Sequence, residues 1–250
     1  MTPPSTILTP AHGQSFREEG YFVLERALLS ADLGMLQAEC QRFVDEREDE
    51  MDRLGVDTID LDHRGRRYFV HGYDRSVVLR RFLASDLMVE IARAALGDTV
   101  YLFNEQFVVK GAERGLRFGW HQDSGFIEYP HAPYLTCWIP LDDVSEINGT
   151  VSVLPYSRAG SRDVVPHVRE EGTNDLVGYF GDDPGVPLEV PAGTVVGFSS
   201  TLLHRSGPNT TDRRRRVYVA QFSSEVILTE DGAEPRHLAV PLLVDGERPG

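Results

Sequence analysis

Apolar residues repeat along this chain with two different periods, and the change falls at Gly97. Before it the spacing is helical: Leu33, Leu36, Cys40, Phe43 and Val44 share one side of a helix that Ser30 can cap and whose first turn carries Asp32. The far end of that helix, DEREDEMDR, is charged enough to demand solvent. A second helical pair is predicted over 77–96, with Ser85 as a cap, Leu87, Ile91 and Ala94 as the apolar stripe and Gly97 as the stop. Tyr21–Leu24 reads as a short strand, and residues 1–10, rich in Pro, Thr and Ser, as a loose end.

After Gly97 the apolar runs are short, β-branched or aromatic, and punctuated by Gly, Pro or Asn. They are Val100–Val109, Leu135–Leu141, Thr150–Leu154, Leu188–Val190, Thr194–Phe198 and Val217–Phe222. Asn148-Gly149 between two of them signals a tight turn. Short strands in succession without helices between them predict an antiparallel sandwich or barrel. The chain is therefore expected to be a single domain over 1–250, mainly β with a helical N-terminal part at 11–98, a β-core at 99–226 and a tail at 227–250. Residues 157–184 form a polar, glycine-bearing insertion long enough to serve as a lid.

Composition narrows the partners. Hydrophobic residues make up 41% of the 250 and charged residues 26%, ordinary values for a globular domain with a sizeable core. Acidic residues outnumber basic ones 39 to 25, and the net charge of −14 repels nucleic acid and anionic membranes. A small-molecule partner is the expectation, with no nucleic acid and no membrane. No run of apolar residues is long enough to span a bilayer, and the N-terminus lacks a basic start followed by an apolar stretch, so a cytoplasmic protein is expected. Oligomeric state is left open. Cys40 and Cys137 are expected to be buried free thiols.

Among the eight histidines, His12, His63, His131, His167 and His237 stand in polar or loop-like contexts and read as surface or locally bonded residues. His121 and Asp123 belong to Phe118-Gly-Trp-His-Gln-Asp-Ser-Gly. Residues two apart on a strand project to one face, so the imidazole and carboxylate can reach one ion together. His204, 83 residues after His121 and beyond the strand Thr194–Phe198, supplies a third ligand. Two histidines and a carboxylate on one side of an ion leave the opposite positions open, an arrangement suited to iron(II) handling O2 with a chelating co-substrate. Arg215 follows His204 by eleven residues and opens a strand. Its guanidinium fork suits the second carboxylate of 2-oxoglutarate. Strand alternation sends Arg213 and Arg215 one way and Arg214 and Arg216 the other; Arg213, Arg214 and Arg216 read as a solvated basic turn.

Through FGWHQDSGF, LTCWIPLDDVSEINGTVSVLPYS and STLLHRSGPNTTDRRRRVYVAQF, the chain resembles the phytanoyl-CoA dioxygenase family of iron- and 2-oxoglutarate-dependent oxygenases from about Val100 to Phe222. The resemblance implies a double-stranded β-helix (a jelly-roll, cupin-like barrel) with Fe(II) held in its mouth by His121, Asp123 and His204. It also implies that Arg215 grips the distal carboxylate of 2-oxoglutarate, that Ser206 assists, that Trp138 lines the co-substrate pocket and that Gln106 contacts the co-substrate. His71 and Gln122 are candidate substrate contacts. The sequence departs from the family at Pro155-Tyr156-Ser157-Arg158, where Pro-Gly-Ser-His is usual.

The implied reaction is O2-dependent oxidation of an unactivated C–H bond with release of succinate and CO2. Asp123 argues against halogenation, because related halogenases lack this carboxylate so that chloride can bind iron. Hydroxylation is expected; desaturation, epimerisation, ring formation and endoperoxide formation stay open. An acyl-CoA would want a basic entrance, so with −14 overall a small molecule such as a natural-product intermediate is the preferred substrate. Two other readings are a zinc hydrolase, which accepts the same ligand types but lacks an evident water-activating carboxylate, and a non-catalytic ligand-binding barrel.

Overall fold

Local chemistry sets the helix ends. In the computed structural model, which describes residues 8–112, 117–170 and 176–249, Ser76 and Ser85 each accept a hydrogen bond from a backbone N–H, of Leu79 at 3.2 Å and Met88 at 3.5 Å. They start helices α3 (Val77–Leu83) and α4 (Asp86–Leu96), which follow α1 (Pro10–Glu19) and α2 (Ser30–Leu54). Ser30 is the first residue of α2 rather than its cap, a position that Leu29 holds. Of the loose end expected at residues 1–10, residues 1–7 lie outside the described residues.

Strands β1 (Tyr21–Leu24), β2 (Thr58–Ile59), β3 (Asp62–His63) and β4 (Arg67–Val70) interleave with these helices. Then come β5 (Val100–Lys110), β6 (Phe118–His121), β7 (Leu135–Pro140), β8 (Val151–Leu154), the single-turn helix α5 (Tyr156–Ala159), β9 (Val168–Arg169), β10 (Leu176–Val177), β11 (Val186–Pro187), β12 (Val195–Ser199), β13 (Leu203–Ser206), β14 (Arg215–Ser223) and β15 (Val240–Leu243). Leu188–Val190, expected as a strand, lies just past β11, and Leu188 N–H still donates to Val151 O at 3.0 Å. Asn148-Gly149 ends a 3-10 turn over Glu146–Asn148 rather than a two-residue hairpin.

The pairings are antiparallel. A large sheet runs β1-β12-β7-β14-β5-β4-β3-β2, with β15 also on β5, and a smaller one runs β11-β8-β13-β6. The two sheets face each other as in a jelly-roll, but among the described residues their ladders stay separate and do not close into a continuous barrel. The outer face of the large sheet (Phe107, Val109, Cys137, Ile139, Tyr218, Ala220) packs on Leu36, Phe43, Leu79, Phe82 and Ile91 of the helices. Burying each such side chain stabilises the fold by about 1.5–3 kcal/mol. Its inner face meets the smaller sheet through Val217, Val219, Val196 and Phe198 against Val151 and Val153. Cys40 and Cys137 are both free and buried. Among the described residues no helix is long and apolar enough to cross a membrane.

The 157–184 insertion packs on the outside of the smaller sheet, where Val165 and Tyr179 sit against Trp120, Leu154 and Leu203. Its described residues line no part of the cavity between the sheets and cover the far face of the smaller sheet; 171–175 lie outside the described residues. The segment after residue 226 is tied down: β15 pairs with Val100–Leu102, and Leu238 N–H donates to Phe103 O at 2.9 Å.

Candidate active site

The register between β13 and β6 sets His204 directly opposite His121, with ring centroids 4.2 Å apart. Asp123 stands just beyond the end of β6, as the first residue of a 3-10 turn (Asp123–Phe126), and not on the strand itself. Ser124 pins that turn, its N–H donating to Ser200 O at 2.9 Å and its hydroxyl to Ser200 Oγ at 2.8 Å. One ligand atom from each of His121, Asp123 and His204 lies within 4.8 Å of the others, and His204 Nε2 is 3.5 Å from Asp123 Oδ1.

Both rings are turned by their own backbone. His121 Nδ1 lies 2.8 Å from Gly119 O and His204 Nδ1 3.0 Å from Leu202 O, each a carbonyl two residues back. Since a carbonyl only accepts, these contacts assign the proton to Nδ1 and leave Nε2 as a lone-pair donor. Burial, and then the neighbouring His204, push the pKa of His121 well below the usual imidazole value, which keeps it in its ligating form.

Asp123 is oriented by residues the sequence reading missed. Its Oδ2 accepts from Thr136 Oγ1 at 2.5 Å and Gln221 Nε2 at 3.1 Å, and Gln221 Oε1 accepts from Asn104 Nδ2 at 3.0 Å. Oδ1 is thereby left toward the histidines. A signal was available: Asn104 and Gln106, Thr136 and Trp138, Val219 and Gln221 alternate along three adjacent strands, so polar groups on apolar strands fall on one face.

Between the sheets lies a cavity of about 320 Å³ that holds the triad, Gln106, Trp138, Ser206 and Arg215 together. Arg215 is 2% exposed; its Nη2 donates to Gly149 O at 2.7 Å, while its Nε is buried without a partner. Gly149 has φ +80°, and a Cβ there would come within 2.5 Å of Gly207 O, so only glycine brings this carbonyl to the guanidinium. Burial pushes the pKa of Arg215 down to about 10, so it is cationic at neutral pH. Arg214 and Arg216 turn outward to Glu48 (2.7 Å) and Asp142 (2.6 Å), as the alternation requires. A second buried cation, Lys110, went unforeseen; its ammonium donates to Ser206 Oγ at 2.7 Å.

Two candidate substrate contacts do not line the cavity, and His237 adds to its wall. His71 is exposed, lies with Nδ1 2.5 Å from Glu105 O and does not line the cavity. Gln122 is buried and also absent from the cavity wall: its amide donates to Thr201 O at 2.5 Å and Asp163 O at 2.9 Å and accepts from Val165 N–H at 2.8 Å, which ties the insertion to the sheet. His237, read as a surface or locally bonded residue, is exposed and also lines the cavity beside Arg236, its ring edge-on against Phe103 at 5.2 Å. Burial and then Arg236 hold its pKa below the ordinary imidazole value.

Residues 16–217 match the phytanoyl-CoA dioxygenase family. The chain belongs to that family. Pro155–Arg158, where the usual family motif is absent, forms the start of α5, with Tyr156 OH 2.7 Å from Thr201 Oγ1. Over 182 residues this family member is 30% identical to L-proline trans-4-hydroxylase of Streptomyces griseoviridis, an alignment covering 62% of this chain and 66% of that protein, short of two thirds of its length. It is 25% identical over 264 residues to ectoine dioxygenase of Bordetella bronchiseptica, covering 94% and 83%. Among solved structures, the epimerase SnoN in complex with Fe3+, alpha ketoglutarate and nogalamycin RO superposes with a TM-score of 0.67 at 19% identity, over 94% of this chain and 96% of that one. That likeness establishes the shared fold.

Proposed function

We propose that this protein is an Fe(II)- and 2-oxoglutarate-dependent dioxygenase that hydroxylates an unactivated C–H bond of a small molecule. The supporting observation is the pairing, inside one cavity, of a His-Asp-His donor set with a buried arginine whose Nε has no partner. Leaving a buried cation short of hydrogen bonds is costly, and an anionic group arriving at Arg215 relieves that cost. The donor set fits iron(II), and the arginine fits the far carboxylate of the co-substrate.

His121, Asp123 and His204 would hold the metal, with Thr136 and Gln221 fixing the carboxylate. Arg215, beside Ser206 and Lys110, would bind the distal carboxylate, while Trp138 and Gln106 wall the co-substrate in. Iron(II) with 2-oxoglutarate supplies O2 activation, in which one oxygen atom goes to succinate as CO2 leaves and the other enters the C–H bond. The protein's share is orientation and exclusion of water. A zinc hydrolase is disfavoured because Asp123, already a ligand, is the one carboxylate among the described lining residues. A cavity of about 320 Å³, shared with the co-substrate, favours a small substrate, and the relatives named for proline and ectoine point the same way.

Anaerobic addition of Fe(II) and 2-oxoglutarate should produce a visible metal-to-ligand charge-transfer band, and admission of O2 should release succinate. Without either signal the proposal fails; zinc-supported hydrolysis in their place would establish the rival.

A further inference from the structure

Arg215 is not alone in its condition. Among the described residues three buried guanidinium Nε atoms lack a hydrogen-bond partner, those of Arg66, Arg215 and Arg236, and the last two line the same cavity. Arg66 lies in the β3–β4 turn and does not line that cavity. If an orphaned, buried donor on the cavity wall marks a site for an anion, the cavity has two such sites.

The register separates them. On paired strands β14 and β5, Arg215 is opposite Lys110 and Gln221 is opposite Asn104. Six strand residues, about 20 Å of backbone, lie between the two positions. Arg236 belongs to the Asn104 end. Its N–H donates to Ile227 O at 2.9 Å, and two residues on Leu238 N–H donates to Phe103 O at 2.9 Å, so its backbone is stitched to that corner. Its Nη2 donates to Phe126 O at 2.9 Å, and the Phe126 ring packs edge-on against the ligand His121 at 5.8 Å. The guanidinium is thus tied to the last residue of the turn that Asp123 begins, in the same cavity as Phe126, Ile127 and Tyr134. No ion pair occupies it among the described residues, whereas Arg214 and Arg216 each hold a carboxylate.

Net charge argues the other way, and distance decides between them. The chain carries −14, yet the described cavity wall bears Arg67, Arg205, Arg215 and Arg236 against a single carboxylate, Asp123. Screening at physiological salt has a range of about 8 Å, so the wall and not the remote surface sets the potential that a bound molecule feels. An anion is favoured inside an acidic protein.

We propose that Arg236 anchors a carboxylate of the substrate, which is therefore a small carboxylic acid held with its apolar body against Phe126, Ile127 and Tyr134. The assignment rests on the preceding reading in one respect, that Arg215 serves the co-substrate and leaves Arg236 for the substrate. A carboxylate bridging Nε and a second N–H of the fork satisfies the orphaned donor and fixes which C–H bond faces the metal.

The test is calorimetric titration under anaerobic conditions of the protein loaded with Fe(II) and 2-oxoglutarate. The probes are a panel of small cyclic and acyclic monocarboxylic acids, each beside its primary amide. At least one acid should bind at least about tenfold more tightly than its amide, R236Q should lose about tenfold or more of that affinity, and R236K should recover part of it. The lysine variant guards against a change in the fold, since it keeps charge and length and loses only the fork. Equal binding of acid and amide, unchanged affinity in R236Q, or no acid binding at all overturns the proposal. The charge-transfer band is read separately: its absence while acids still bind through Arg236 refutes the oxygenase reading and leaves this one standing.

Discussion

The two faces of the large sheet are built from the same strands and treat buried polarity in opposite ways. On the outer face, Glu105 is 1% exposed and saturated: it accepts from Gly72 and Tyr73 N–H at 2.7 and 2.8 Å and from Tyr218 OH at 2.9 Å. On the inner face, Arg215 is equally buried and keeps an N–H without a partner. A buried polar group that is fully bonded specifies and rigidifies a core, while one left short of a bond is held for something that arrives. One residue of register separates the two, because neighbouring side chains on β5, β7 and β14 point to opposite faces.

The sharpest way to break this division is to attack each face in turn. On the inner face, His204→Ala removes a ligand, and succinate release should fall by about three orders of magnitude or more, read from single-turnover assays. On the outer face, Phe107→Ala opens a cavity beneath Phe43 and Tyr218, whose rings lie 6.1 and 4.7 Å away. Chemical denaturation should show a loss of about 3–5 kcal/mol, with the position of the charge-transfer band unmoved. If Phe107→Ala shifted the band while leaving stability intact, the two faces would not be separable.

Much of this was legible before the structure. The helical period up to Gly97, the strands after it, the Ser85 cap and the nearness of His121 to Asp123 rest on short-range rules of spacing, while His204 was read from its place after a strand 83 residues on. What escaped depends on pairing between distant segments. Thr136, Gln221 and Asn104 meet Asp123 only because β7, β14 and β5 are neighbours in register. A bulge sharpens the point: Gln221 pairs with Asn104 and Phe222 with Leu102, which skips Phe103 and lets Phe103 and Asn104 both line the cavity. No alternation rule anticipates that. Gln122 shows the converse: its place between two ligands suggests proximity to substrate, yet its amide is spent on Thr201, Asp163 and Val165 and lines no part of the cavity.

Arg215→Leu probes the orphaned donor itself. Affinity for 2-oxoglutarate should drop by about 10- to 100-fold, the worth of a charged hydrogen bond, as followed by anaerobic titration of the band. Stability should hold or rise, because replacing a buried, incompletely bonded cation by an apolar side chain removes a desolvation cost. A large loss of stability with unchanged affinity would place Arg215 with Glu105, among the groups that serve the core.

The smallest effect tests whether the inner face is preorganised by parts or as a unit. Thr136→Val keeps the volume and deletes the 2.5 Å bond to Asp123 Oδ2, while Gln221 Nε2 stays 3.1 Å from the same oxygen. If the two donors act independently, one charged hydrogen bond is lost and iron(II) affinity should fall by about tenfold, within the range found when outer partners of metal ligands are removed. But Gln221 also donates to Thr136 Oγ1 at 3.2 Å and is itself held by Asn104. Removing the hydroxyl frees that amide to commit fully to the carboxylate, which offsets part of the loss. Competition between iron(II) and a colorimetric chelator, measured for Thr136→Val, Gln221→Leu and the double variant, separates the cases. Equal, additive losses mean two independent props. A double variant much worse than the sum means that each donor covers for the other, so that Asp123 is held by the network and not by any single member.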